Sequence, residues 1–347
     1  MAGFTSLFKA LTAPVKIPIF VVTLDALGTL YHFREPVSAQ YFNVAQKCGL
    51  RAKINPTELD QFFKSSFKHY NTVYPNYGKG KLEDPQIWWS KVVKRAFREI
   101  VPDGELPPNL DISLYRHFST QAAYQLYLDV LPFLHTIEAI KDRFVAADGP
   151  LLVTGIVTNS DPRARDVLTD LGLEIGPSRV PEMNPLQEMP NIWKNVQADN
   201  IKDIRATPYA GYYSRRNHFD FLCTSYDAES EKPSLDIWLA AKRLVMPMPP
   251  SRMENSLGPP SDLKDVSQIM TEALRYRPGK IKWVHIGDEF SKDYLGAVNC
   301  GLKALHLARE KESSLVVEEG IETVSNLEEA AMVVSVMAQD YFNHDPE

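Results

Sequence analysis

The chain has 347 residues, 44% hydrophobic and 24% charged, with a formal net charge of −6 at neutral pH. That length can bury one large core or two ordinary ones. The acidic balance argues against nucleic acid or an anionic membrane surface as the main partner, because both call for a basic face.

No apolar run approaches the ~20 residues of a membrane-spanning helix. Cys48, Cys223 and Cys300 lack metal-site spacing and read as small packed residues in a reducing compartment. The expectation is an intracellular protein, cytoplasmic or nuclear. The leader, residues 1–16, has no acids and spaces Phe4, Leu7, Phe8 and Leu11 like a helix face, which keeps a mitochondrial address open.

The first predicted element is a strand from Ile17 to Leu24, apolar and rich in β-branched residues, which ends at Asp25 and is followed by Gly28. Helical signals then dominate residues 36–127. Ser38 to Lys47 has helical spacing and stops at Gly49. Asn55-Pro56-Thr57-Glu58 combines an N-cap, a first-turn proline and a capping glutamate. Tyr74 to Gly78 reads as a turn. Asp84-Pro85 opens a helix that carries Trp88, Val92, Ala96 and Phe97 on one face. A further helix is predicted from near Asp111, and no strand is predicted in this block. The aromatic residues Tyr70, Tyr74, Tyr77, Trp88 and Trp89 are expected to fill its core, with a partner interface as the other reading.

Beyond it, strands and helices alternate. The predicted order is helix Pro132–Phe144, strand Pro150–Ser160, a helix opened by Asp161-Pro162, strand His218–Ser225, helix Ser234–Val245, strand Ile281–Asp288, helix Tyr294–Cys300 and strand Leu302–Ala308. Such alternation predicts an α/β fold, a Rossmann-like parallel sheet covered on both faces. The implied division is a core of residues 17–35 and 128–320, a helical domain of residues 36–127 inserted after the first strand, and a C-terminal segment, 321–347. The proline-rich stretches 179–217 and 246–265 read as surface insertions through which a protein partner could bind.

Reactive groups fall at four strand ends. Asp25 follows the first strand, and Thr158-Asn159-Ser160 ends the second. Lys232-Pro233 comes shortly after the third, and Gly287-Asp288 ends the fourth, with Asp293 five residues on. Each alone has a structural explanation as a turn or cap. Together, in this order, they predict one crevice at the carboxyl edge of the sheet. His285, inside the fourth strand, reads as a buried structural histidine, and His32 as a residue able to approach that crevice.

The set "DALGTL", "VTNS", "EKP" and "GDEFSKD" resembles the four motifs of the haloacid dehalogenase superfamily, across Ile17 to Arg309 with both insertions aside. Phe67 to Val93 and His285 to Leu302 are similar to its subfamily called haloacid dehalogenase-like hydrolase domain-containing protein 3. The resemblance implies a helical cap at residues 36–127 and Asp25 as nucleophile. It further implies Thr158 and the amides around Asn159 as phosphoryl-oxygen donors and Lys232 as the balancing cation. A Mg²⁺ ion would be held by Asp25, the Leu27 backbone carbonyl, Asp288 and Asp293. The expected substrate is a small phosphorylated metabolite or another small anion.

Leu27 departs from the phosphatase pattern, which places a second aspartate there to protonate the leaving oxygen. General acid–base assistance is worth roughly 10²–10⁴ in rate. Three readings stay open: a slow or specialised Mg²⁺-dependent phosphoester hydrolase, a catalytically impaired ligand- or partner-binding protein, and a 2-haloacid dehalogenase. The dehalogenases also lack the second aspartate, but they need no metal, whereas this chain keeps Asp288 and Asp293.

Overall fold

The computed structural model describes residues 16–101, 106–147, 149–176, 217–245, 277–309 and 321–344. The leader up to residue 15 and nearly all of both proline-rich insertions lie outside the described residues.

Six strands form one sheet: β1 (Lys16–Leu24), β4 (Leu151–Thr158), β5 (Phe221–Thr224), β6 (Arg277–Gly287), β7 (Lys303–Leu307) and β8 (Thr323–Val324). Their order is β5-β4-β1-β6-β7-β8, and every neighbouring pair is parallel. The chain runs outward from β1 through β4 to β5, then returns to lay β6 against the other side of β1. The strand order therefore reverses at β1/β6, the place where open parallel sheets form a ligand crevice.

Alternation along β1 divides the core. Phe20, Val22 and Leu24 join a cluster containing Phe133 and Ile137 of α5 (Val130–Ala146) and Val334 of α10 (Leu327–His344). Ile19 and Val21 face the opposite layer, against Ile237, Trp238 and Ala241 of α8 (Leu235–Val245).

The segment from residue 321, divided off in the sequence reading, belongs to this core. It supplies β8, and Tyr341 of α10 is buried with its hydroxyl donating to the Lys280 carbonyl at 2.6 Å. A two-residue strand carries no readable period, which is why it escaped prediction.

The inserted block contains α1 (Val37–Lys47), α2 (Pro56–Val73), α3 (Pro85–Arg98) and α4 (Leu110–His117). Asn55 and Asp84 cap α2 and α3 through bonds accepted from the Thr57 and Gln86 amides. Contrary to expectation, the block also contributes a strand. Its β3 (Tyr124–Leu126) pairs antiparallel with β2 (Tyr31–Phe33), forming a two-strand stem below the helices. Among the described residues no helix is long and apolar enough to cross a membrane.

Candidate active site

Asp25 is the first residue beyond β1, and its amide still donates to the Ile286 carbonyl at 2.9 Å, so the ladder to β6 fixes where the carboxylate emerges. The chain then turns tightly. The Ala26 carbonyl accepts from the amides of Leu30 and Tyr31, and Gly28 takes φ +92°. A Cβ on Gly28 would lie 2.2 Å from Asp288 Oδ2. Only glycine permits both the backbone angle and this approach. Thr29 Oγ1 donates to Asp288 Oδ1 at 3.0 Å and orients it. Asp293 is admitted in the same way, because a Cβ on Gly287 would lie 2.3 Å from its Cγ.

Lys232 is 3% exposed, which is not the state of a solvated lysine. Its ammonium donates to Asp25 Oδ1 at 2.6 Å, to Asp293 Oδ1 at 2.5 Å and to the Val157 carbonyl at 2.8 Å, using all three protons. Asn159 acts through its side chain as a clamp on the lysine backbone: Oδ1 accepts from the Lys232 amide at 2.7 Å, and Nδ2 donates to its carbonyl at 3.0 Å. The sequence reading had assigned Asn159 to its surrounding backbone amides. Thr158 Oγ1 is buried at the end of β4, 3.1 Å from Ser160 Oγ.

Behind the acids lies a buried chain of polar groups. Trp283 Nε1 donates to Thr23 Oγ1 at 2.8 Å, Thr23 Oγ1 lies 3.0 Å from His285 Nδ1, and His285 Nε2 lies 3.3 Å from Asp293 Oδ1. Burial is the largest influence on His285 and holds its pKa below the ordinary value, against the opposing pull of Asp293. His285 is buried, as its strand position suggested, and it also touches the site. His32 bonds the Phe33 carbonyl and Gln125 and lies outside the residues lining the cleft.

Electrostatically the cluster is unbalanced. Asp25, Asp288 and Asp293 each offer an oxygen within 4.8 Å of the others, and among the described residues Lys232 is the lysine or arginine bonded to them. Burial pushes Asp25 up to about 7 against the pull of Lys232, with Asp293 and Asp288 adding repulsion. Burial and then Asp293 raise Asp288 as well. Asp293 moves the other way: burial would raise it, but Lys232 and His285 outweigh that and hold it well below the usual carboxylate range. Three carboxylates facing one ammonium leave an excess of two negative charges. Asp293 is engaged at both oxygens, the second accepting from the Glu289 amide at 2.9 Å. Among the described residues, Asp25, Asp288 and Asp293 are the group of carboxylates placed closely enough to hold a metal ion together.

The cleft continues from Asp25 into a cavity of about 340 Å³ between the sheet edge and the helical block. Phe63, Phe67, Tyr77, Trp89, Phe118 and Tyr124 are among its walls, and Leu27, 39% exposed, stands on the cleft near Asp25. The block's aromatic residues therefore divide. Trp88 fills the helical core, while Tyr77 and Trp89 face the cleft.

Tyr77 is placed by a run of positive φ at Asn76, Tyr77 and Gly78, and its hydroxyl donates to the Asn159 carbonyl at 3.0 Å. Asn76 Nδ2 donates to the Ser225 carbonyl at 2.8 Å, so one left-handed turn ties the helices to the ends of β4 and β5.

Asp161 and Arg163 were read only as the opening of a helix, here α6 (Arg163–Asp170). Their side chains in fact form a buried ion pair at 2.7 Å in the cavity wall. Trp89 Nε1 donates to Asp161 at 2.6 Å, and the guanidinium lies 4.4 Å from the Trp89 ring centre and 4.5 Å from that of Tyr115.

With this geometry in view, comparisons with known proteins are informative. No family model matches the chain. An uncharacterized protein of Saccharomyces cerevisiae is 31% identical over 175 residues, covering 47% of this chain and 53% of its own length. The chain thus spans about half the length of that relative. The haloacid dehalogenase-like hydrolase domain-containing protein 3 of Danio rerio is 24% identical over 297 residues, covering 85% of this chain and 88% of its own. These curated relatives support a protein of the haloacid dehalogenase superfamily. A phosphatase of this superfamily from Thermococcus onnurineus is a distant likeness in fold, with a TM-score of 0.42, 15% identity, and coverage of 92% of this chain and 98% of its own.

Proposed function

We propose that this superfamily member hydrolyses phosphomonoesters with a divalent cation, Mg²⁺, through Asp25 as nucleophile. The observation that carries the reading is the excess of two negative charges around Lys232, in a donor set made only of oxygens. A hard divalent cation answers both features. Asp25, Asp288 and the Leu27 carbonyl would hold it, with Asp293 close by and mainly positioning Lys232. When bound, the ion supplies charge neutralisation beside the phosphoryl oxygens. The same excess weighs against dehalogenation, which calls for no cation.

The chain's own groups do the rest. Lys232 opposes the upward push of burial on Asp25 and bonds one of its oxygens, while Asp25 also lines the cleft. Attack by the Asp25 carboxylate on phosphorus forms an aspartyl phosphate and divides the hydrolysis into two easier steps. Thr158 and the amides at the end of β4 lie where phosphoryl oxygens would be received. The helical block covers the cleft and excludes water while the first step proceeds.

Turnover of acetyl phosphate and of 4-nitrophenyl phosphate, with and without Mg²⁺ and beside Asp25→Asn, tests the reading. The expected result is Mg²⁺-dependent release of phosphate that Asp25→Asn lowers by at least about 10³-fold. Equal rates for both proteins, or none with either substrate, would return the chain to a binding role.

A further inference from the structure

Two independent features of the cleft bear on what leaves when phosphorus is attacked. The first is the lack of a carboxyl group free to give up a proton. Besides Asp25, the carboxyl groups lining the cavity are Asp161 and Glu289. Asp161 accepts from Arg163 at both oxygens and from Trp89, so it is locked as a carboxylate. Glu289 is exposed and paired with Lys292 at 2.7 Å. Leu27 carries no proton to give.

The second feature is the cavity itself. About 340 Å³ is more than phosphate needs, and its walls are aromatic rings from both the helical block and the β2/β3 stem, Phe67, Trp89 and Tyr124 among them. Its one guanidinium is already neutralised by Asp161. The space therefore suits an uncharged planar group rather than a second anion.

We infer that the substrates are aryl phosphomonoesters: Asp25 takes the phosphoryl group while a ring occupying the aromatic cavity departs as its phenolate. This rests on the phosphatase reading above and adds the identity of the leaving group. In the first step the bond from Asp25 Oδ to phosphorus forms, the bond from phosphorus to the aryl oxygen breaks, and its electron pair leaves on that oxygen. No proton is delivered, and a phenol, unlike an alkyl alcohol, departs without one. Water then cleaves the aspartyl phosphate. Its oxygen goes to inorganic phosphate and its proton to the released phenolate in solution.

The test is a substrate series with Mg²⁺, in kcat/KM: 4-nitrophenyl, phenyl and 1-naphthyl phosphates against acetyl phosphate and glycerol 3-phosphate. The aryl esters should exceed acetyl phosphate by about tenfold or more, the worth of burying a ring of 1.5–3 kcal/mol. Their rates should fall as the phenol pKa rises, and glycerol 3-phosphate should turn over at least about 10²-fold more slowly than phenyl phosphate. Ala164→Leu, which narrows the cavity, should lower kcat/KM for the aryl esters by more than it lowers that for acetyl phosphate.

Calorimetry on the wild-type chain gives a second reading independent of turnover: phenylphosphonate should bind at least about tenfold tighter than methylphosphonate. Acetyl phosphate hydrolysed as well as the aryl esters, with equal binding of the two phosphonates, would overturn the aryl inference and leave the phosphatase standing. Glycerol 3-phosphate turned over as fast as phenyl phosphate would overturn it likewise. No hydrolysis of any member would remove both.

Discussion

The two ends of the cleft solve the problem of buried charge in opposite ways. At the sheet edge, Lys232 faces three carboxylates and leaves the balance two charges short. Some 130 residues after Asp25 in the chain, but on the same cleft, Arg163 and Asp161 form a closed pair with Trp89 as further donor. A balanced pair is structural furniture: it holds the wall and asks for nothing. An unbalanced one can persist in a buried site only if carboxyl groups take up protons or a cation binds, and that demand makes it a place for chemistry.

Breaking each end should show the difference. Lys232→Met is expected to cost the most, about 3–5 kcal/mol, because Asp25 and Asp293 lose their common partner inside the protein. Saturating Mg²⁺ should recover part of that loss in thermal melts, a rescue with no counterpart at the other end.

Asp161→Asn is the matching cut, and it should destabilise by a similar or slightly smaller amount by stranding Arg163. Burial alone would raise Asp161, but Arg163 outweighs it and holds the carboxyl below the ordinary range. A depressed carboxylate contributes stability that is present above the unfolded pKa of about 4 and is lost as pH falls through the folded value. The gap between wild type and Asp161→Asn, read by denaturant titration, should therefore be full at neutral pH and narrow below about pH 4. Mg²⁺ should leave it unchanged.

Leu27→Asp sharpens the contrast by adding a proton donor where the two ends meet. It should raise turnover of glycerol 3-phosphate by about 10²-fold and that of 4-nitrophenyl phosphate far less, since only the first needs its leaving oxygen protonated. The smallest effect belongs to the tie between helices and sheet. Tyr77→Phe removes the bond to the Asn159 carbonyl and should lower stability by about 1 kcal/mol. Because Asn159 clamps Lys232, kcat should fall more than KM rises.

The charged end was far more legible in the sequence than the aromatic end. Asp25, Thr158 and Asp288 stand at the ends of apolar strands, and although each alone could serve a turn or cap, together and in order they point to one crevice. Asp161 and Arg163 follow a strand just as closely, yet Asp161-Pro162 is also what any helix start looks like, and no local pattern separates the two. Tyr77 and Trp89 were visible as aromatics but not as cleft residues. The direction of Tyr77 depends on positive φ at Asn76 and Tyr77, which sequence signals at residues other than glycine do not reveal. Strands β2, β3 and β8 were missed because two or three residues cannot display alternation, and only their partners make them strands.

By itself, the sequence determined the order of strands and helices, the caps that start α2 and α3, and the reactive groups delivered at strand ends. These follow from periodicity and from local hydrogen bonding within a few residues. Tertiary structure alone decided that Lys232 would spend every proton in the interior, that Asn159 would serve as its clamp, and that aromatic rings from the helical block would meet Arg163 in the cleft that Asp25 lines. Those facts depend on groups brought together across 61 residues or more. Only burial tells a solvated charge from one that must be answered.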